Sequence, residues 1–437
     1  MLKDRYGLPL STTSSDARDA YVAAVDSMLC ADPRADTQLA ETLRADPDFA
    51  LAHAAIARQH QLHGHAAEAQ QAIERATMLV PGATQRERQH VDICGLLIDG
   101  SSQQALGRII DHVETYPLDA LALSPAAGVF GLIGFSGRPG REQEQLALLQ
   151  PLRAAYGDDW WFATVYAFAL IEVGEHEHGR ELVERALEQR QGNAHGVHVF
   201  THALYEGGDD RTAADYLTDW LPGYPDAGPL TCHLWWHRCL LHLALGDTDA
   251  VWSSYDAHCA PVASQSPPIN VLTDGVSLLW RARLAGLDGD RARWQALLDY
   301  QRRCFPQPGV FVDAHCTLSA VALGDWQAFE ADLALLESRA VAGKLPAGNV
   351  AASLARAYRD FACERWARVV QTLQPIADEV VRIGGSRAQR DLVTNTLIAA
   401  YFRDGRPQDA RRLMAGHDGR QRSVPVSNSR GNGQPEA

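Results

Sequence analysis

The sequence predicts an all-α protein in which pairs of helices stack side by side into a curved solenoid. Three observations lead to this fold class. A spaced pattern of alanine, glycine and proline returns along the chain, and helix-capping signals precede apolar segments. No alternation of apolar and polar residues is long enough to indicate a β-sheet. The 437 residues are sufficient for a long repeat array.

The first clear copy of the pattern lies between residues 57 and 81 and has the spacing of a helix–turn–helix unit of about 34 residues, the tetratricopeptide type. Its alanines allow two helices to approach closely, its glycine ends the first helix in a left-handed conformation, and its proline stops the second helix. The positions are Ala57, Gly64, Ala69, Ile73, Ala76 and Pro81.

The same pattern returns in three further close copies and three looser ones. The close copies are Gly100, Ala105, Ile109 and Pro117; Ala167, Gly174, Gly179, Val183 and Ala186; and Gly208, Ala213, Leu217 and Pro225. The looser copies are Gly246, Val251 and Tyr255; Gly324 and Ala328; and Gly405, Ala410 and Met414. This recurrence predicts a tetratricopeptide-like solenoid, strongly curved or closed around a polar groove.

Helix-start signals agree with this register. Thr84 and Ser386 each begin a capping box, and Ser14 or Ser15 is expected to cap the first helix. No linker interrupts residues 1–415, which we predict to be one continuous solenoid. Residues 416–437 are rich in Gly, Ser, Asn, Gln and Arg without an apolar face, which predicts a disordered C-terminal tail.

Composition limits the partners and the compartment that we expect. The net charge is −14 and the sequence pI about 5.6, which argues against nucleic acid and against anionic membranes as partners. No run of about 20 apolar residues and no signal peptide is visible, so a cytoplasmic location is expected. The eight cysteines form no CxxC pair and are expected to be reduced, buried thiols.

Histidines provide the candidate site. His198 and His202 lie four residues apart on one predicted helix, and His233 and His237 repeat that spacing on the first helix of the next repeat. A later repeat carries Asp313 and His315 near the start of its first helix. In tetratricopeptide arrays the first helices line the concave face, so these side chains are expected to meet in one groove.

This arrangement fits several chemistries. Two His pairs can bind a divalent transition metal, and a His beside Asp313 can act as a general base. Arg387 and Arg390, near the helix that Ser386 caps, can hold a carboxylate or phosphate, with Gln389 beside them. Each feature also has a structural interpretation, because buried His pairs, Trp236 and a capped Gly384–Ser386 turn occur without any ligand.

Other reaction templates are absent from the sequence. No HExxH, GxSxG, Walker A or dinucleotide-binding motif occurs, which excludes the usual zinc proteases and leaves no redox cofactor. Glu206 and Asp274 are possible acids, but the local sequence distinguishes neither.

Several motifs, in the same order along residues 10–415, resemble those of the tetratricopeptide repeat protein 38 family and its bacterial members. They are Leu10–Ser14, Thr84–Val91, His198 with His202, Cys232–His233, Trp236–His237, Tyr255–Asp256 with His258, Asp313–His315, Ile383–Ser386 and Ala388–Asp391. One departure is Tyr205, where relatives carry a glutamate. The resemblance implies an α-helical repeat fold with a polar groove and supplies no reaction.

Two functions follow as hypotheses. The first is a small-molecule site in the concave pocket, with acid–base chemistry of the hydrolase or lyase type. Its catalytic candidates are His198, His202, His237, Asp313 and His315, and its ligand-binding candidates are His233, Trp236, Arg387, Gln389 and Arg390. The alternative is a non-catalytic scaffold that binds a peptide or protein, with homo-oligomerisation also considered.

Overall fold

The computed structural model describes residues 1–287 and 290–415, which are almost entirely helical, so the all-α prediction is confirmed. The predicted C-terminal tail, 416–437, lies outside the described residues, and the boundary at residue 415 stays a prediction. Two short antiparallel strands, β1 (Leu2–Lys3) and β2 (Pro9–Leu10), precede the first helix. Between the α-helices lie 3-10 segments, among them the ten-residue Gln374–Ile383, and one π-helical turn, Tyr255–Cys259.

The α-helices follow one another in antiparallel pairs. They are α1 (Ser15–Leu29), α2 (Ala35–Ala45), α3 (Ala50–Leu62), α4 (Ala66–Leu79), α5 (Gln85–Ile98), α6 (Ser102–Thr115), α7 (Ala120–Ala127), α8 (Arg141–Leu149), α9 (Arg153–Tyr156), α10 (Trp160–Glu172), α11 (His176–Gln189), α12 (Ala194–Glu206), α13 (Asp210–Trp220), α14 (Thr231–Leu245), α15 (Thr248–Ser254), α16 (Pro268–Leu284), α17 (Arg291–Cys304), α18 (Leu318–Leu323), α19 (Trp326–Val341), α20 (Val350–Ala362), α21 (Trp366–Leu373), α22 (Arg387–Arg403) and α23 (Pro407–Ala415).

The small-residue pattern has the physical role that its spacing predicts. In the pair formed by α3 and α4, Ala57, Ala69 and Ala76 are fully buried, where only a methyl group fits between the helix axes. Gly64 ends the first helix with φ +80°, a conformation that strains any residue with a Cβ atom. The corresponding glycines of the other copies also have positive φ; they are Gly100, Gly174, Gly208, Gly246, Gly324 and Gly405.

The predicted helix caps are confirmed. The side chains of Thr84 and Ser386 each accept the backbone N–H three residues on, and Glu87 and Gln389 bond back to complete two capping boxes. Ser14 caps α1 by accepting the backbone N–H of Ala17. All eight cysteines are free and six are buried as expected, whereas Cys304 and Cys363 are partly exposed.

Contacts between distant parts of the chain close the solenoid on itself. Arg141 on α8 is 1% exposed, and its guanidinium donates to the carbonyl oxygens of Val381 at 2.8 Å and Gly385 at 2.5 Å. Arg390 on α22 forms ion pairs with Glu142 and, at 3.6 Å, with Glu172. These contacts hold the start of α22 against α8 and α10, and α22 also packs against α12 and α16.

In the part of the chain that the structure describes, no helix is both long and apolar enough to cross a lipid bilayer.

Candidate functional site

Four histidines from two neighbouring helices converge in the interior. His198 and His202 project from one face of α12, and His233 and His237 project from the facing side of α14. One ring nitrogen of each residue lies within 4.8 Å of those of the other three. The Nε2 atom of His198 is 2.9 Å from Nε2 of His202 and 3.0 Å from Nε2 of His233. We call these four residues the histidine cluster.

A carboxylate and an amide orient the cluster from behind. Nδ1 of His233 donates to the Asp274 carboxylate on α16 at 2.8 Å, and Gln389 Nε2 donates to the other oxygen of Asp274 at 3.3 Å. The Gln389 side chain also closes the capping box with Ser386. The start of α22 therefore both closes the ring and, through Gln389, positions the Asp274 carboxylate. That carboxylate in turn orients the imidazole of His233.

Burial decides the protonation of the cluster. The pKa values of His198, His202 and His237 lie well below the usual value, first because the rings are removed from water and then because neighbouring imidazoles repel a second proton. These rings are therefore neutral near pH 7 and each carries a free lone pair on one nitrogen.

Two members of the cluster have nitrogen atoms without partners. Both ring nitrogens of His237 and Nδ1 of His202 are buried and lack a hydrogen-bond partner among the described residues. Leaving such atoms unpaired costs about 1–3 kcal/mol each. The four inward-facing nitrogens form the group within residues 1–287 and 290–415 that is suited to hold a metal ion.

Aromatic side chains surround the cluster. Trp236 stacks on the ring of His233 at a centroid distance of 5.1 Å and is itself fully buried. Phe168 meets His198 edge-on at 5.3 Å. These contacts hold the imidazole planes in place. Trp236 therefore packs against the cluster, and its role as a ligand contact stays a prediction.

A cavity of about 300 Å³ adjoins the cluster. Its walls are mainly apolar where α1, α3, α5 and α7 contribute, with residues such as Leu29, Ala55 and Ile93. Helices α12, α14, α16 and α22 contribute the polar groups of His195, His198, His233, Asn270 and Gln389, and Arg58, Gln59 and His90 add polar groups from α3 and α5. His202 and His237 lie behind this wall, so the cluster reaches the cavity through His198 and His233.

One cation in the cavity wall stands apart from the acidic residues. Arg58 on α3 lines the cavity and contacts the side-chain oxygen of Gln61. Within the described ranges no carboxylate forms an ion pair with it, and burial lowers its pKa. Because an uncompensated buried charge is costly, a partly buried arginine of this kind favours an anion brought in from outside.

Asp313 and His315 do not belong to the histidine cluster, contrary to the sequence prediction that they join it, although His315 interacts electrostatically with Asp274. The helix expected to carry them is replaced by a 3-10 turn, Val312–Ala314, followed by the short helix α18. Nδ1 of His315 donates to the carbonyl oxygen of Phe311 at 2.8 Å. The pair α16 and α17 separates this repeat from α14, so Asp274 takes the orienting position predicted for Asp313.

Arg387 and Arg390, predicted as ligand-binding residues, take part in ring closure. Nε of Arg387 donates to the carbonyl oxygen of Glu172 at 2.9 Å, and Arg390 pairs with Glu142 and Glu172. The Nε donor of Arg387 and both terminal nitrogens of Arg390 are therefore occupied by the protein itself. Gln389 does line the cavity, as predicted for a ligand contact, and its contact with a ligand stays a prediction.

Asp313 carries a prediction of its own, because burial raises its pKa to about 7 and one carboxyl oxygen has no partner in the described structure. The folded protein keeps this proton where the unfolded chain has lost it, so stability falls as the pH rises from about 4 to 7. Asp313→Asn is expected to remove this slope and to gain on the order of 2–4 kcal/mol over wild type at pH 8. Urea titrations between pH 4 and 8 measure it.

The exposed Asp299→Asn is the matched control for this carboxyl group and should leave the slope unchanged. A slope that is the same in wild type and Asp313→Asn would contradict the assignment.

Two residues of the site have weak sequence signals. Asp274 is the single acid in the apolar sequence of α16, and an isolated carboxylate in a buried helix often has a buried partner. That signal was present but did not identify His233. Arg58 follows a buried alanine on α3, and no sequence pattern marks it.

No family model matches this chain. Two solved structures with which it shares similarity are "Human IFIT1 dimer with m7Gppp-AAAA" and "Human IFIT1 dimer with PPP-AAAA", each 13% identical to it. The first comparison covers 92% of this chain and 90% of that chain with a TM-score of 0.42. The second covers 94% and 96% with a TM-score of 0.40.

One sequence-based expectation does not hold. The acidic composition was used to exclude nucleic acid as a partner, but a net charge averages over the whole surface and does not describe the charge of one local patch. The two similar proteins are titled as complexes with m7Gppp-AAAA and PPP-AAAA.

Proposed function

We propose that this helical-repeat protein binds a small molecule with an apolar body and an acidic group in the cavity beside the histidine cluster. The observation that carries the proposal is Arg58, a cation that lines a mainly apolar cavity without a carboxylate partner in the described chain. A bound acid supplies the missing counter-charge, and a charge-assisted bond from a guanidinium is among the stronger hydrogen bonds.

The cavity supports the apolar part of the ligand. Small-molecule sites have volumes of about 300–1,000 Å³ and walls that are mostly apolar with a few convergent polar groups. The cavity of about 300 Å³ matches the lower end of that range, and Leu29, Ala55 and Ile93 provide apolar contact area. His198, His233 and Gln389 provide hydrogen-bonding groups.

The resemblance to the tetratricopeptide repeat protein 38 family fits this proposal, since its matched motifs supply His198, His202, His233 and His237. Acid–base turnover of the ligand, by hydrolysis or elimination, stays a prediction. Neutral imidazoles beside the cavity are the proton acceptors that it requires.

The alternative is a scaffold that binds a peptide along an open concave groove. The ring closure through Arg141 and Arg390 speaks against a long peptide, because it joins α22 to α8 and α10 and an open groove lacks such contacts. Displacement of a bound small molecule by peptides would favour this alternative over the small-molecule site.

Two fluorescent probes test the proposal on the purified full-length chain. Anilinonaphthalene sulfonate is anionic and Nile red is neutral, and both are expected to bind at one site. Gly128 lines the cavity with φ −117°, and a Cβ atom there meets nothing within 4 Å, so Gly128→Leu fills the cavity without strain. This substitution should raise the dissociation constant of both probes at least about tenfold, which corresponds to about 1.4 kcal/mol of binding free energy.

Arg58→Met should weaken binding of the anionic probe by about tenfold and leave the affinity for Nile red unchanged, because methionine removes the positive charge and keeps an apolar side chain. The matched control is Gly107→Leu on the exposed face of α6, where a Cβ atom also meets open space. Equal binding of both probes to wild type and Gly128→Leu would overturn the proposal.

A further inference from the structure

We propose that His198, His202, His233 and His237 form a mononuclear binding site for a divalent first-row transition metal. The site belongs to α12 and α14 alone. It does not depend on the ligand proposed for the cavity, and it is tested without that ligand.

The distances within the histidine cluster match those around a single ion. Ring nitrogens at about 2.0–2.1 Å from one ion lie about 2.9–3.4 Å from their neighbours and about 4.2 Å from a nitrogen across the ion. The observed contacts from His198 are 2.9 Å and 3.0 Å, and all four nitrogens lie within 4.8 Å of one another. Shifts of about half an ångström therefore bring all four into coordination range.

Hydrogen bonding between neutral imidazoles does not account for these contacts. In the neutral form of His233 whose Nδ1 donates to Asp274, the Nε2 atom carries a lone pair. The Nε2 atom of His198 faces two neighbours, the Nε2 lone pair of His233 and the Nε2 atom of His202. A neutral His198 has a single proton or a single lone pair at Nε2, which both neighbours would have to share. A cation placed among the three nitrogens accepts every lone pair at once.

The nitrogens without partners point to the same conclusion. His237 is fully buried, and neither of its ring nitrogens has a hydrogen-bond partner in the described structure. A structural histidine in a core normally satisfies at least one nitrogen. A metal ion placed at the point toward which the other three histidines also direct a nitrogen would give one nitrogen of His237 a partner.

The surroundings select the class of metal. Asp274 holds His233 in the carboxylate–histidine arrangement common behind metal-bound imidazoles, and its negative charge offsets part of the ion's charge. Arg281, whose charge lowers the pKa of His237, acts in the opposite direction. Four imidazoles without an oxygen ligand suit Zn²⁺, Fe²⁺, Ni²⁺ or Cu²⁺ and do not suit Mg²⁺ or Ca²⁺.

The cluster is also open on one side. His198 and His233 line the cavity, whereas His202 and His237 lie behind them. Metal sites with a structural role are closed by protein ligands, while those that act on a substrate keep a position open to it. An ion held by all four imidazoles is open to the cavity only if it takes a fifth ligand, which His198 and His233 would place on the cavity side.

Metal analysis of the full-length chain, produced without a polyhistidine tag, is the first test. We expect close to one equivalent of a transition metal per chain, either as purified or after loading with Zn²⁺ or Co²⁺ and gel filtration. X-ray absorption at the metal edge should show a shell of imidazole nitrogens. Less than a tenth of an equivalent after loading of the folded protein overturns the proposal.

Two variants and one control locate the ion. His202→Gln and His237→Gln should each reduce the bound metal at least tenfold. His195→Gln should retain it, because His195 lies on the same helix and lines the cavity but stands outside the four. Retention of the metal by folded His202→Gln and His237→Gln overturns the proposal. If neither variant folds, the X-ray absorption spectrum of the wild-type protein decides, and fewer than three imidazole ligands there overturns the proposal.

Discussion

Asparagine in place of Asp119 is expected to lower the free energy of unfolding by about 3–5 kcal/mol, the usual cost of breaking a buried ion pair. The Asp119 carboxylate is buried and accepts from Arg86 at 2.8 Å, from His90 at 3.2 Å and from His112 at 3.1 Å. Without its charge, the Arg86 guanidinium remains buried with no carboxylate of the described residues in ion-pair contact, and Asp4 acts on it only from a greater distance.

Asparagine isolates the charge from the helix cap. Asp119 is also the N-cap of α7, and asparagine caps a helix about as well as aspartate does. Asp209→Asn is the matched control, because Asp209 caps α13 at the exposed surface. We expect the control to change stability by less than about 0.5 kcal/mol in urea denaturation. A similar small change for Asp119→Asn would contradict the proposed role of the ion pair.

The same network predicts a pH window. Burial alone would raise the pKa of Asp119, but His90, His112 and Arg86 hold it well below its usual value, so this stabilisation is present above pH 4 and lost in stronger acid. Burial alone would lower the pKa of His90, but Asp119 raises it to about 10. The contribution of His90 is complete below about pH 6.5 and disappears as the pH rises through 10.

Arg141→Met is the second substitution with a large expected effect. It removes two hydrogen bonds from a charged donor to the carbonyl oxygens of Val381 and Gly385, worth about 1.5–3 kcal/mol each, and it relieves some repulsion from Arg390. We expect a net local loss of about 2–4 kcal/mol. Hydrogen–deuterium exchange should show protection of residues 381–390 falling by about one to three orders of magnitude.

Arg138→Met is the matched control for Arg141→Met. Arg138 lies three residues before Arg141 in the chain and forms an exposed ion pair with Glu144. Exposed ion pairs contribute about 0–1 kcal/mol, so its exchange pattern should match that of wild type. If Arg141→Met leaves the protection of residues 381–390 unchanged, the ring is closed by other contacts.

Ring closure connects these stability predictions to the site. The segment that Arg141 holds leads directly into the Ser386 capping box, whose Gln389 side chain reaches Asp274 and lines the cavity. Loosening this segment is therefore expected to disturb the orientation of His233 through Asp274.

The sequence predicted those features that depend on neighbours within one or two turns of helix. Helix pairs, their glycine ends and the capping boxes of Thr84 and Ser386 are local, because the interacting groups are separated by three to five residues. The four-residue spacing of His198 with His202, and of His233 with His237, placed each pair on one face for the same reason.

The tertiary structure decided which repeats are neighbours and which charges compensate each other. α16 packs against α14 and separates it from the repeat of Asp313, so the carboxylate that reaches His233 is Asp274, forty-one positions away along the chain. Closure of the ring likewise paired Arg390 with Glu142 and Glu172, bonded Arg387 to the carbonyl oxygen of Glu172, and left Arg58 facing the cavity. Spacing within a helix determines the face on which a side chain lies, but only the packing of distant helices determines what lies opposite that face.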